Sequence, residues 1–153
     1  MNKTIQIYLD MNIFKRNFDV QSLLRIRLET AAIDVIFADV SSGKYEFPWS
    51  FILDYENNLN PNLDRRAAAI LLSQKASREI QPTEEICEQA QKFEKRSIKS
   101  RDALHLACAV LTGCDYLLTC DDKFIKKGRQ LNLKVKVMGP VEFVNLMEHQ
   151  NGH

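Results

Sequence analysis

IQIYLD, residues 5–10, is an apolar segment that ends in a carboxylate. Its composition predicts a buried strand over residues 4–9, and a helix is expected after Asp10. Asp10 therefore lies where one element ends and the next begins, and packing gives no reason for a charge there. Ligands of open α/β sheets gather at the carboxyl ends of the strands, so this position is a candidate for function.

The rest of the chain alternates between short apolar runs and segments with helical spacing. Strands separated by helices predict a parallel sheet with helices on both faces. Ser50 and Ser100 are expected to cap the helices that follow them. The predicted strands are 4–9, 45–48, 78–81, 116–119 and 133–138, and the predicted helices are 20–41, 50–56, 63–77, 82–96, 100–113, 122–130 and the segment after residue 140.

The composition is that of one ordinary globular domain. The chain has 153 residues, of which 45% are hydrophobic and 27% charged, so we expect residues 1–153 to form a single domain. The net charge of +1 neither requires nor excludes a nucleic-acid partner. Because no apolar run reaches membrane-spanning length and no signal-peptide core is evident, we expect a cytoplasmic protein with no membrane partner.

The cysteines and histidines argue against a zinc site. The four cysteines form no CxxC pair, and two of the three histidines lie in the last five residues. Neither set has the spacing of zinc ligands. We therefore expect free thiols in a reducing cytosol.

Four acids at the edges of apolar segments carry the functional information: Asp10, Glu56, Asp102 and Asp121. Each has a structural explanation on its own, since Asp10 and Asp121 can cap helices, Asp102 suits a first helical turn, and Glu56 can be a solvated helix residue. If the fold brings them together, their repulsion requires a cation. A hard divalent cation held by carboxylates indicates phosphate chemistry.

Four segments contain these acids in a characteristic order: YLDMN at 8–12, SFILDYE at 50–56, RDALHLACA at 101–109 and LLTCDDKF at 117–124. Together they resemble the PIN domain family, and within it the VapC-like toxin ribonucleases. The resemblance implies a three-layer α/β/α sandwich with a central parallel β-sheet. It also implies cleavage of RNA phosphodiester bonds that depends on Mg²⁺ (or Mn²⁺), with the four acids as the catalytic quartet.

Within this quartet we expect Asp10, Asp102 and Asp121 to hold the metal. Glu56 is expected to bind metal or to orient the attacking water as a general base. Asp122 directly follows Asp121, so which of the two faces the metal is open. Asp54 competes in the same way with Glu56.

Polar and basic neighbours of the acids are candidates for substrate contact or for support of the site. Asn12 and Thr119 match the common polar neighbours of the family and are assigned to substrate binding. Arg101 and Lys123 are adjacent to site positions and are expected to contact the RNA backbone. Arg65-Arg66 is expected only to solvate a helix. His105 lies one helical turn after Asp102, so contact with substrate or with the acids is one alternative. Its core-like neighbours Leu104 and Leu106 favour the other, a partly buried helix residue with a hydrogen-bonded ring.

We therefore expect a metal-dependent endoribonuclease that is the toxin of a type II toxin–antitoxin pair. The resemblance alone implies an antitoxin protein as partner and a homodimer as assembly. The alternative is a non-catalytic PIN-like module that binds RNA or protein. A phospho-receiver or phosphatase domain also places acids at strand ends, but Asn12 stands where the phosphatase would need a second aspartate.

Overall fold

The computed structural model describes residues 4–150 and contains two parallel sheets. The strands are β1 (Ile5–Leu9), β2 (Tyr45–Glu46), β3 (Pro48–Ser50), β4 (Arg78–Ile80), β5 (Tyr116–Leu118) and β6 (Lys136–Met138). The larger sheet has the order β2-β1-β5-β6, while β3 pairs with β4. Every strand pair is parallel.

Helices connect the strands and cover the sheet. They are α1 (Met11–Lys15), α2 (Leu24–Ser41), α3 (Phe51–Asn58), α4 (Leu63–Ser73), α5 (Glu84–Glu94), α6 (Ser100–Leu111), α7 (Asp122–Gln130) and α8 (Pro140–Gln150), with a 3₁₀ turn at Arg16–Phe18. Among them, α2 packs against α8 and α5 packs against α6. The predicted fold class, an α/β/α sandwich around a central parallel sheet, is confirmed.

The predicted strand over residues 45–48 is divided between the two sheets. Tyr45 pairs with β1, whereas Pro48 pairs with β4, so the chain changes partner at Phe47. Pro48 has no backbone N–H for a ladder and suits the first residue of a new strand. The Phe47 carbonyl accepts a hydrogen bond from Ser77 N at 2.8 Å, just before β4.

Some element boundaries differ from the prediction. Lys99, not Ser100, is the N-cap of α6; Ser100 is the first helical residue, and its hydroxyl donates to Glu94. The prediction of a Ser100 cap was therefore wrong by one residue. Helix α2 begins at Leu24 rather than at Val20, and its N-cap Leu23 has extended backbone and no side-chain cap hydrogen bond.

The centre of the core is formed by β1 and β5. Their side chains Ile7, Leu9, Leu117 and Leu118 are fully buried. Because the two strands are parallel neighbours, their carboxyl ends lie side by side, and Asp10 N donates to the Leu118 carbonyl at 3.0 Å. The residues that follow these strands are therefore brought to one edge of the sheet. Within the part of the chain that the structure describes, no helix is long and apolar enough to cross a membrane.

Candidate active site

A cleft of about 570 Å³ opens at the carboxyl edge of β1 and β5. All four predicted acids line it, although they come from distant parts of the sequence. Acidic and basic residues both contribute to the wall. The lining residues are Asp10, Met11, Asn12, Lys15, Asp19, Glu56, Leu59, Asn60, Pro61, Arg65, Arg101, Asp102 and Asp121.

Asp10 is buried and held by several donors. It is the N-cap of α1, and its Oδ1 accepts a hydrogen bond from Met11 N at 2.7 Å. Its Oδ2 accepts from Thr119 Oγ1 at 2.7 Å and from Asn12 Nδ2 at 3.3 Å. The capping role and a functional role are thus compatible, because within the described part of the chain Oδ1 accepts only the Met11 hydrogen bond and keeps a further lone pair.

Asn12 and Thr119 connect the two strand ends. Asn12 Oδ1 accepts from Cys120 N at 3.0 Å, and Thr119 Oγ1 accepts from Asp121 N at 3.1 Å. Thr119 is fully buried, so its hydroxyl cannot reach RNA, and its contacts are those of a residue that positions Asp10 and Asp121. Asn12 lines the cleft, and its Nδ2 donates to Asp10 Oδ2 and to Thr119 Oγ1, so it also supports the position of Asp10.

Asp121 and Asp122 have different environments. Asp121 lines the cleft, and its Oδ1 caps α7 by accepting from Lys123 N at 2.9 Å. Asp122 binds both terminal nitrogens of Arg25, at 2.8 and 2.9 Å, so its carboxylate is already paired outside the cleft lining. The geometry therefore favours Asp121 over Asp122 as a ligand.

Asp102 lies in the first turn of α6 and is partly buried. Burial is the main cause that raises its pKa to about 6, and the negative charges of Asp10, Asp121 and Glu56 act in the same direction. Only His105 lowers the pKa. A divalent cation would remove this repulsion, and the carboxylate oxygens gathered here are the ligands that Mg²⁺ prefers. The donor set therefore fits the metal that the sequence predicts.

Of the two acids that compete for a place in the site, Glu56 lies in the cleft lining and Asp54 does not. Asp54 is exposed and accepts a hydrogen bond from Trp49 Nε1 at 2.6 Å, whereas Glu56 lines the cleft. Glu56 Oε1 lies 2.6 Å from His105 Nε2, and its Oε2 lies 4.0 Å from Arg101 Nη1. Ligand atoms of Asp10, Glu56 and His105 all lie within 4.8 Å of one another.

His105 has the hydrogen-bonded ring that the sequence predicts, but its partners are functional candidates. It is fully buried, and its Nε2 is 3.5 Å from Asp10 Oδ1 as well as close to Glu56. Sequence reasoning did not assign it to the site. Its position one helical turn after Asp102 is the signal that points there, because residues three apart share a helix face.

The basic residues of the cleft differ from those expected. Arg101 lines it, as predicted, and its guanidinium lies 5.5 Å from the centre of the Tyr55 ring. Lys123 is exposed and is not part of the lining. Lys15 and Arg65 line the cleft instead, although Arg65 had been assigned to solvation of a helix. The packing of α4 beside α1 and α3 brings Arg65 to this position, and its Nη2 donates to the Phe18 carbonyl at 2.9 Å.

Residues 44–130 match the model of the PIN domain, which covers more than half of the chain. The chain belongs to the PIN domain family. Glu56, Asp102 and Asp121 lie inside the matched segment, whereas Asp10 lies before it and joins the other acids through β1. The predicted family is therefore confirmed.

Solved structures that share the fold include two VapBC complexes. One is the structure of VapBC2 from Rickettsia felis bound to a DNA fragment from their promoter, with a TM-score of 0.55 and 13% identity over 87% of this PIN-domain chain and 98% of the other. The second is VapBC-1 from nontypeable Haemophilus influenzae, with a TM-score of 0.55 and 18% identity over 89% and 98% of the two chains. At these identities the likeness establishes the fold alone. No curated protein sequence matches the chain.

Proposed function

We propose that this PIN domain is a metal-dependent endoribonuclease that hydrolyses RNA phosphodiester bonds. One observation carries the proposal: acids from four separate segments line a single cleft, where burial and then their mutual repulsion raise the pKa of Asp102. Carboxylates that only cap helices or solvate a surface have no reason to gather in this way. Membership of the PIN domain family supports the same conclusion.

Mg²⁺ (or Mn²⁺) is the proposed cofactor, held by Asp10, Asp102 and Asp121. When bound, such a cation neutralises charge on the reacting phosphate and lowers the pKa of a bound water. Asn12 and Thr119 keep Asp10 and Asp121 in place through the hydrogen bonds between the two strand ends.

Glu56 is the proposed general base. One of its oxygens is occupied by His105, and the other lies 4.0 Å from Arg101. The second oxygen is therefore the one available to accept a proton from the attacking water. Arg101, Arg65 and Lys15 are proposed to bind phosphates of the RNA backbone, since they are the basic residues of the cleft lining.

The test of this function is a cleavage assay on RNA with purified, antitoxin-free protein. Wild type is expected to cleave with Mg²⁺ or Mn²⁺ and to stop when the cation is chelated. The substitution Asp10→Asn is expected to lower the rate by at least about 100-fold, because removing the charge weakens the metal site. Circular dichroism of the variant, which should retain the wild-type spectrum, is the control for folding.

Two outcomes would contradict the proposal. The first is an absence of cleavage with either cation, which would favour a non-catalytic PIN-like module that binds RNA or protein. The second is an Asp10→Asn variant that cleaves at the wild-type rate, which would remove Asp10 from the metal site.

We also propose that the protein is the toxin of a toxin–antitoxin pair and forms a homodimer. Both fold neighbours come from VapBC complexes. Leu59 of the cleft lining and Leu63 and Leu71 of α4 are exposed apolar side chains, a kind of residue that is typical of protein interfaces. Growth arrest on expression, relieved by a protein encoded beside it, together with a dimeric mass from light scattering, would support this proposal. A monomer without effect on growth would argue against it.

A further inference from the structure

His105 connects the acids of the cleft to the interior of the protein. It lies on α6 three residues after Asp102, and its side chain is fully buried. Its Nε2 is 2.6 Å from Glu56 Oε1, and its Nδ1 is 2.6 Å from the hydroxyl of Tyr8. Tyr8 in turn lies 2.7 Å from Ser50 Oγ. The chain of contacts therefore runs from Ser50 to Glu56.

Which atom donates in each of these hydrogen bonds follows from the carboxylate of Glu56 at the end of the chain of contacts. An ionised carboxylate only accepts, so the proton of the contact must lie on His105 Nε2. In a neutral ring, Nδ1 then accepts the proton of Tyr8, and the Tyr8 oxygen accepts the proton of Ser50. Burial raises the pKa of Tyr8 well above its usual range, so the phenol keeps its proton. The imidazolium form also carries a proton on Nε2, so the conclusion does not depend on the charge of the ring.

The opposite arrangement leaves a buried group without a partner. If Nε2 were deprotonated, Nδ1 would donate to Tyr8, and Tyr8 would donate to Ser50. Ser50 Oγ already accepts from Leu53 N, and among residues 4–150 no further acceptor is available for its own proton. A buried hydroxyl that loses its acceptor pays a desolvation cost. The network therefore favours a proton on Nε2.

We propose that His105 is a positioning residue that fixes Glu56 by donating Nε2–H to Oε1, and that it is not a metal ligand although it lies among the acids. Both ring nitrogens are occupied by protein groups at 2.6 Å, and the fully buried ring is not part of the cleft lining where a cation would lie. The inference rests on the proposed function and extends it, because it leaves only oxygen ligands in the site. Such a set suits Mg²⁺ or Mn²⁺.

The protonation state of His105 can be measured without any RNA. In ¹⁵N-labelled protein, long-range ¹H–¹⁵N correlation spectra show which imidazole nitrogen carries a proton. We expect a protonated Nε2 both before and after saturation with Mg²⁺, which is diamagnetic. A deprotonated Nε2 in the Mg²⁺-bound state would overturn the proposal. If the protein cleaved no RNA at all, the proposed function would fail while this measurement still decided the role of His105.

Kinetics of paired variants test the positioning role. His105→Leu removes the donor to Glu56 and should lower kcat by about 10- to 100-fold with little change in KM. His105→Gln keeps an N–H near the position of Nε2 and should recover most of that loss. In a Glu56→Ala background, His105→Leu should have no further effect on kcat. A His105→Leu variant within twofold of wild type, or a Gln variant as slow as the Leu variant, would contradict the proposal.

Tyr8→Phe covers the case in which the Leu variant does not fold. It removes one hydroxyl and preserves the buried ring. Because Nδ1 then loses its donor, we expect a smaller fall in kcat and a mixture of imidazole protonation states. Wild-type kcat together with an unchanged imidazole spectrum would show that Tyr8 does not orient His105.

Discussion

Ionisation of Asp102 is disfavoured in the folded protein. Burial is the main cause, and the carboxylates of Asp10, Asp121 and Glu56 add to it. The Asp102 pKa of about 6 lies above the ordinary value of 3.8. The unfolded chain ionises this group freely, so ionisation in the folded state costs stability. At the residue scale, the site therefore favours function at the expense of the metal-free protein's stability.

The expected consequence is a pH-dependent effect of Asp102→Asn. The folded pKa is raised, so the stabilising contribution of the protonated group is complete below about pH 4 and is lost as the pH rises through 6. Asparagine stays neutral throughout. At pH 7 the free energy of unfolding of the metal-free variant should therefore be about 1–2 kcal/mol larger than that of wild type. This figure allows for solvent screening of a partly exposed group.

Thermal unfolding in the presence of a chelator, from pH 4.5 to 7.5, measures this difference. Added Mg²⁺ should reverse the order at pH 7, because wild type gains more from the cation than the variant does. A difference in melting temperature that stays constant with pH would contradict the predicted repulsion at Asp102.

At the scale of elements, the position of α7 determines where Asp121 points. Asp121 is the N-cap of α7, and Arg25 of α2 binds both Asp122 and the Cys120 carbonyl on either side of it. Farther along, Gly128 packs on β6, where an added Cβ would lie 2.8 Å from Val137 Cγ2. The glycine thus permits close approach of helix and strand.

Gly128→Ala should destabilise the protein by about 1–2 kcal/mol. Alanine is the better helix former by about 1 kcal/mol, but overpacking against the buried Val137 costs about 1–3 kcal/mol. Urea unfolding of Gly128→Ala, Val137→Ala and the double variant measures the balance. The double variant should lose less stability than the sum of the single variants, because the smaller residue 137 relieves the clash. Strict additivity would show that the two side chains do not compete for space.

At the scale of the whole molecule, the cleft combines acids at the sheet edge with basic side chains from other elements. Lys15 lies at the end of α1, Arg65 on α4 and Arg101 on α6. No local pattern connects these three positions. Under the proposed function, these positive charges would attract a phosphate backbone to the cleft that holds the acids.

Arg65→Ala is therefore expected to weaken RNA binding about 3- to 10-fold at low salt and to reduce the salt dependence of the affinity. Arg66→Ala is the matched control, since it changes the same residue type one position away and outside the cleft lining. Lys123→Ala should also have little effect. Fluorescence anisotropy with labelled RNA at several salt concentrations measures all three. Equal losses for the two arginine variants would show that the charge of α4 acts without regard to position.

Much of the site follows from local sequence. Apolar runs predict the strands and place Asp10 and Asp121 after strand ends. The two carboxylates reach one edge because β1 and β5 are parallel neighbours, and that pairing belongs to the fold. Ser50 caps α3 as predicted, because a cap depends on the few residues beside it. The order of the acidic segments was sufficient to indicate the PIN domain family, which the family model confirms.

Tertiary structure decided what depends on how separate elements are rotated and packed. It placed Glu56 rather than Asp54 in the cleft, paired Asp122 with Arg25, and brought Arg65 to the lining. It also placed His105 between Glu56 and Tyr8. The physical reason is that local sequence specifies the conformation of each segment, whereas the direction in which a side chain points relative to a distant element is set by burial of the shared core.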